Sequence, residues 1–212
     1  MGTEQERTVL VTGFEPFGGD TENASMAALD ALLASWDGGA HLVGERLPVE
    51  FDEAPLRRAV DRHRPDLVLC LGEAGRREAV TPERWGVNEM RARIPDNAGR
   101  QPDGEPITPD GPSRLETRVD VGAAAAAIRD AGWASAVSDD AGRYVCNFVT
   151  YVAHGLDVPA LFVHVPALRS TGEAGVGAET DGEARAADGR APRTPADLAD
   201  ALRALLHAVL AG

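Results

Sequence analysis

Short apolar runs alternate along this chain with segments whose apolar residues recur at helical spacing, and that alternation restricts the fold more than any other feature. Thr8–Phe14 is such a run, closing on Gly13 and Phe14, and it suits a buried strand of a mostly parallel sheet. Further strands are predicted at His41–Val49, Asp66–Gly72, Ala134–Ser138 and Ala160–Val165. Helices are predicted over Met26–Trp36, Glu50–His63, Val121–Ala131, Cys146–Gly155 and Pro195–Val209, the first of them capped by Asn23 or Ser25. Strands alternating with helices give an α/β class, a three-layer α/β/α domain around a mostly parallel, mixed and twisted sheet, with its site where loops gather at the strand ends. The length of 212 residues with 43% hydrophobic composition fits one domain over residues 1–212.

Two stretches break the pattern. Between Glu73 and Arg118 the chain is rich in Pro, Gly and charge and too long for an idle loop, which predicts a functional segment with short extra strands. Ser170–Arg193 is built of Gly, Ala, Glu and Asp with almost nothing apolar, which predicts a mobile segment before the last helix.

Charge and cysteine content narrow the function. A net charge of -13 with a pI near 4.8 disfavours nucleic acid and anionic membrane as partners, since both repel an acidic surface. The first residues carry no apolar leader and no transmembrane run is visible, so a cytoplasmic location is expected. Cys70 and Cys146 lack metal-ligand spacing, and the Gly18-Gly19 turn lacks the Lys and Ser or Thr of a phosphate loop; neither metal nor cofactor is expected. Cys70 sits inside the apolar Asp66–Gly72 run and reads as core.

Cys146 is different. It follows a small-residue turn at Ala141-Gly142 and falls in the predicted first turn of a helix, where N–H groups lacking partners favour a thiolate. A lone cysteine there can equally be a small buried hydrophobe. His164 ends an apolar strand stopped by Pro166; alone it reads as a satisfied core histidine, beside a thiol as a general base. Glu83 can orient such a histidine, or it can pair with its neighbour Arg84. His41, His63 and His207 lie on amphipathic segments, and His154 ends a helix, where a cation suits the dipole.

Four segments, Val9–Gly19, Pro82–Arg84 leading into Ala92–Asn97, Ala141–Asn147 and Phe162–Pro166, together resemble the pyroglutamyl peptidase I family of cysteine peptidases, in that family's order and at about its spacing. The resemblance implies a catalytic triad of Glu83, Cys146 and His164 and removal of an N-terminal 5-oxoproline from a peptide. It also implies a lactam pocket: Phe14 and Phe17 sandwich the ring or, read without the family, anchor a loop. The backbone beside Val145 bonds the lactam amide, Asn23 lies near the pocket, and Arg93 stands close to the oxyanion donors. Dimers or tetramers are what the resemblance suggests for assembly.

Three departures from the family pattern stand out. Glu73 replaces a frequent Gln and brings a possible negative charge toward the lactam pocket and the thiolate, unless Arg76, Arg77 or Arg93 neutralises it. Phe148 replaces a frequent His, and Ala167–Arg193 lacks the family's usual sequence. A catalytically silent protein that binds pyroglutamyl-like ligands is therefore the alternative, and a nucleoside ligand follows by fold analogy alone.

Overall fold

The computed structural model describes residues 7–168 and 188–212. The central sheet is built from β1 (Thr8–Phe14), β2 (His41–Leu47), β3 (Leu67–Ala74), β4 (Thr81–Glu83) and β9 (Ala160–Pro166), in the order β2-β1-β3-β9-β4. The first four strands of that order run parallel, and β4 lies antiparallel on the edge beside β9. The mixed α/β sheet and the alternation of elements are those the sequence predicts.

Strand order explains which helix lies where. From β1 the chain crosses one way to β2 and then back over β1 to β3, and right-handed crossovers in opposite directions put their helices on opposite faces. So α1 (Ala24–Ser35) covers one face and α2 (Ala54–His63) the other. The continued march from β3 to β9 puts α4 (Val145–His154) beside α2, while α3 (Val121–Asp130) and α5 (Pro195–Ala211) join α1. The reversal between β1 and β3 opens a crevice at their carboxyl ends, where ligands of open α/β sheets bind.

Both faces of the interior strands are buried. Val9, Val11, Leu69, Leu71, Val163 and Val165 pack against Leu198, Leu202 and Leu205 of α5 on the α1 face. Leu10, Phe14, Val68, Cys70 and Phe162 pack against Leu56 of α2 and Phe148, Val149 and Val152 of α4 on the other. The long segment after β3 holds β5 (Trp85–Val87), β6 (Met90–Arg91), β7 (Asp103–Glu105) and β8 (Arg114–Glu116), paired β5 with β8 and β6 with β7. This arm of two small, nested antiparallel ladders realises the extra strands expected there. No described helix is long and apolar enough to cross a membrane.

Several boundaries depart from expectation. The predicted strand at Ala134–Ser138 makes only isolated parallel bridges, Val80 to Ser135 and Glu83 to Ser138, because it lies outside the edge strand β4 and meets it at single points. Pro48 ends β2 at Leu47, and α2 starts at Ala54, because Phe51 N–H is engaged by Asp96 Oδ2 at 2.8 Å and Pro55 sits in the first turn. Of the segment expected to be mobile, residues 170–187 lie outside the described residues. Arg190 within its remainder exchanges backbone hydrogen bonds with Gly132 and Ala134, and its guanidinium lies 4.0 Å over the Trp133 ring.

Candidate active site

Strand β9 carries His164 into the sheet interior, 2% exposed, with Gly72 of β3 and Thr81 of β4 as its cross-strand partners. Glu83, two residues further along β4, opposes Phe162 and therefore shares the face of His164. Its Oε1 lies 2.7 Å from His164 Nδ1, with both side chains shut off from solvent. That contact fixes the ring and leaves Nε2 directed away from the carboxylate.

A carboxylate at 0% exposure must be matched by a cation, and the sequence candidate Arg84 is not it. Arg84 turns out to Asp139 at 3.1 Å, whereas Arg77 donates to Glu83 Oε1 at 2.6 Å. Burial alone pushes the Glu83 carboxyl up, but the hydrogen bond from His164 and the charges of His164 and Arg77 outweigh it and hold the group below the usual carboxylate range. Breaking such a buried pair by removing one partner costs about 3–5 kcal/mol.

The thiol arrives from the opposite direction. Gly142, at φ 80, takes a left-handed turn that a side chain resists, with its N–H on Asp140 Oδ1 at 2.9 Å, and two residues later the chain enters α4. Tyr144 at the N-cap is extended and offers no side-chain cap, so Val145 and Cys146 fall in a first turn whose N–H groups have no capping side chain. Cys146 is half-buried, and its Sγ stands 3.1 Å from where a Cβ on Gly72 would be. Since Gly72 is the register partner of His164, the missing side chain on β3 is the space that lets sulfur settle beside the histidine's strand. Cys70 is 0% exposed and its thiol is pushed up to about 12 by burial, with a Thr12 hydrogen bond pulling weakly the other way; it is core, as expected.

Of the remaining predicted residues, not all are brought to this crevice. Phe14 is buried with its ring 6.5 Å from Phe162, and the half-buried Phe17 lies 5.7 Å from Tyr144, which in turn meets Phe51 edge-on. Asn23 caps α1 by accepting from Ser25 N–H, and it also accepts from Ser25 Oγ, which accepts from Phe14 N–H at 2.9 Å. With Nδ2 donating to the Glu15 carbonyl, Asn23 both caps the helix and ties down the loop after β1. Val145 is buried, and Arg93 is exposed, with its carbonyl accepting from Gln101. Glu73 follows Gly72 and so faces the other side of the sheet, where its Oε2 accepts from Ala24 N–H at 2.7 Å at the head of α1.

Two polar residues have partners that were not foreseen, Arg77 being expected above only as a counter-charge to Glu73. Arg77 had a signal: the run Ala79–Glu83 is apolar around its glutamate, so a buried cation had to come from nearby. Asn147, fully buried, accepts from Val87 N–H and donates to the carbonyls of Val87 and Glu89, pinning the arm to α4. His154 corrects its expectation. It is buried under β8, its Nδ1 3.2 Å from the Leu115 carbonyl, and burial pushes it down to about 4 against the pull of that hydrogen bond and of Glu83. It is neutral, not a cation on the helix dipole.

Comparison with known proteins identifies the family. The pyroglutamyl peptidase family model matches residues 7–178. The pyrrolidone-carboxylate peptidase of Streptomyces coelicolor is 44% identical over 209 residues, covering 94% of this chain and 90% of its own. That of Bacillus velezensis is 40% identical over 169 residues, 76% of this chain and 79% of its own. Pyroglutamyl peptidase I of Bacillus amyloliquefaciens superposes with a TM-score of 0.81 at 33% identity over 98% of both chains. The pyrrolidone carboxyl peptidase of Thermococcus litoralis does so with 0.80 at 30% identity over 97% of this chain and 94% of its own. With one family spanning nearly the whole sheet and its crevice, the chain belongs to the pyroglutamyl peptidases and is a hydrolase of their cysteine-dependent type I class.

Proposed function

We propose that this chain removes N-terminal pyroglutamate from peptides by covalent catalysis, with Cys146 as nucleophile, His164 as general base and acid, and Glu83 as the group that orients His164. The observation that supports this most is the buried bond between His164 Nδ1 and Glu83 Oε1, set on the strand whose register partner, Gly72, makes room for Cys146 Sγ.

The chemistry follows from the placement. His164 Nε2 takes the thiol proton, and the sulfur attacks the carbonyl carbon of the pyroglutamyl residue. The developing oxyanion meets the Cys146 N–H in the first turn of α4, with Arg93 as a second donor. Collapse breaks the C–N bond, and His164 returns its proton to the leaving amine, which departs and leaves a thioester. Water, deprotonated by the same imidazole, then attacks the thioester and releases 5-oxoproline and the thiol. Phe14 and Phe17 offer flat apolar walls to a neutral lactam, the backbone beside Val145 offers it hydrogen bonds, and Asn23 steadies the Phe14–Phe17 loop. A pocket matched to lactam amide groups discriminates against a ring that lacks them.

Release of a fluorescent amine from its 5-oxoprolyl, prolyl and glutamyl amides tests the reading. We expect the 5-oxoprolyl amide alone to be cleaved, and Cys146→Ala to abolish cleavage. A freshly reduced wild type that binds 5-oxoproline without cleaving its amide would instead make the chain a binding protein.

A further inference from the structure

Arg77 sits in the connection between β3 and β4, 8% exposed, and its guanidinium reaches three residues on two segments. Nη1 donates to Glu83 Oε1 and to Thr81 Oγ1, both at 2.6 Å, and Nη2 donates to the Asp140 carbonyl at 2.9 Å. Thr81 is the register partner of His164, and Asp140 holds the turn at Gly142 that leads into Cys146. One cation therefore touches the strand beside the base, the carboxylate behind the base and the approach to the nucleophile. A rigid planar fork suits that task, and a point charge on a flexible stem does not.

We propose that Arg77 is a positioning residue for the hydrolysis, which keeps Glu83 ionised and aimed at His164 and thereby sets the pH at which Cys146 loses its proton. The proposal rests on the Glu83, Cys146 and His164 triad described above. Its physical basis is the sharing of one oxygen: Glu83 Oε1 faces both Arg77 and His164 Nδ1.

The charge count gives the sign. Glu83 faces His164 from β9, Arg77 from the β3–β4 connection and the neutral His154 from α4, while Arg84 is turned away to Asp139 and Cys146 Sγ lies beside Gly72, the register partner of His164. With Cys146 and His164 uncharged, or as a thiolate and imidazolium pair, Arg77 makes the set neutral. Without Arg77 either form carries one surplus negative charge in a water-poor setting and takes up a proton more readily. Whether that proton lands on the Glu83 carboxylate, which must be ionised to accept from Nδ1–H, on the imidazole or on the thiolate, the acidic limb of reactivity moves to higher pH.

The test compares wild type, Arg77→Met and Arg77→Lys by two readouts: kcat and KM on a 5-oxoprolyl amide, and the pH dependence of Cys146 alkylation by iodoacetamide. Cys70 is fully buried and contributes no background in the folded protein. For Arg77→Met we expect the acidic limb of both profiles to rise by about one to three units. We also expect kcat to fall by about 100-fold, with KM within about threefold of wild type. Arg77→Lys retains the charge and should leave the limb in place while lowering kcat through lost aim. An Arg77→Met limb that coincides with wild type, in a folded and active protein, overturns the proposal. If Arg77→Met does not fold, Arg77→Met combined with Glu83→Gln decides: a double variant that folds identifies the unpaired carboxylate as the fault, and one that also fails assigns Arg77 to the scaffold and overturns the proposal. An inactive wild type, or an active Cys146→Ala, overturns the triad reading and this proposal together, whereas an active wild type with an unmoved Arg77→Met limb overturns this one alone.

Discussion

The two faces of the central sheet are made from alternate residues of the same strands, yet they do different work. On the α1, α3 and α5 face the buried side chains of β1, β3 and β9 are aliphatic, from Val9 and Val11 through Leu69 and Leu71 to Val163 and Val165. On the α2 and α4 face the same strands present Phe14, Gly72, Phe162 and His164, with Glu83 joining from β4. The first face is specified by volume and hydrophobicity, which many side-chain sets satisfy. The second is specified by hydrogen bonds at 2.6 and 2.7 Å and by one missing side chain, and these admit few substitutes. A two-residue period thus separates what keeps the protein folded from what makes it act.

Substitutions on either side put that separation at risk, the largest effect first. Leu202→Ala on α5 empties fully buried space on the aliphatic face and should cost about 2–5 kcal/mol of stability. Chemical denaturation measures the loss, and activity per folded molecule should stay at the wild-type value. A fall in that activity would mean the faces are coupled. Gly72→Ala is the converse case. Its Cβ would stand 3.1 Å from Cys146 Sγ and 2.6 Å from Phe162 Cζ, so the thiol must shift, and kcat should fall by about 100-fold while overpacking costs stability only about 1–3 kcal/mol.

Acid should expose the site face first. His154 is held at about 4 against an ordinary 6.5, so the unfolded chain takes its proton before the folded one does as pH falls. Stability from this group is complete above pH 6.5 and is lost between there and about 4, by at most about 1.4 kcal/mol per pH unit. His154→Gln should flatten the unfolding free energy across that window. Glu73→Gln should have the smallest effect. Its carboxylate serves the head of α1, so the exchange should cost about 0.3–1 kcal/mol and leave the pH profile of Cys146 alkylation where it was. A lowered profile would return Glu73 to the site.

Much of this was legible in the residues because the signals are local. Apolar runs located β1, β3 and β9, helical spacing located the five described helices, and the small-residue turn before Cys146 located the head of α4. What was missed depends on contacts that span the sheet. Ala134–Ser138 has a strand's composition but lies outside an edge strand only three residues long, so it has too little backbone to pair with. Glu83 lies next to Arg84 in sequence, yet side chains of successive strand residues point to opposite faces, which is why its partner is six residues away. Glu73 and Gly72 are separated by the same rule, and neither residue carries a direct sign of which of them faces the thiol. His154 ends its helix under β8, and no periodicity within the helix reveals what lies across from it.

Asn147 stands next to the thiol and takes the place of a strand neighbour for the arm, with one accepted and two donated hydrogen bonds to Val87 and Glu89. Its side chain differs from that of aspartate by a single group, and that group is the donor facing two carbonyls. Hydrolytic loss of the amide nitrogen would set a carboxylate against both carbonyls at distances of 2.8 and 2.9 Å, turning a clasp into a wedge. The helical setting and full burial that make Asn147 a good clasp also keep its backbone from the cyclic geometry that such ageing requires. The chain thus holds this clasp in a setting that slows the very ageing that would open it.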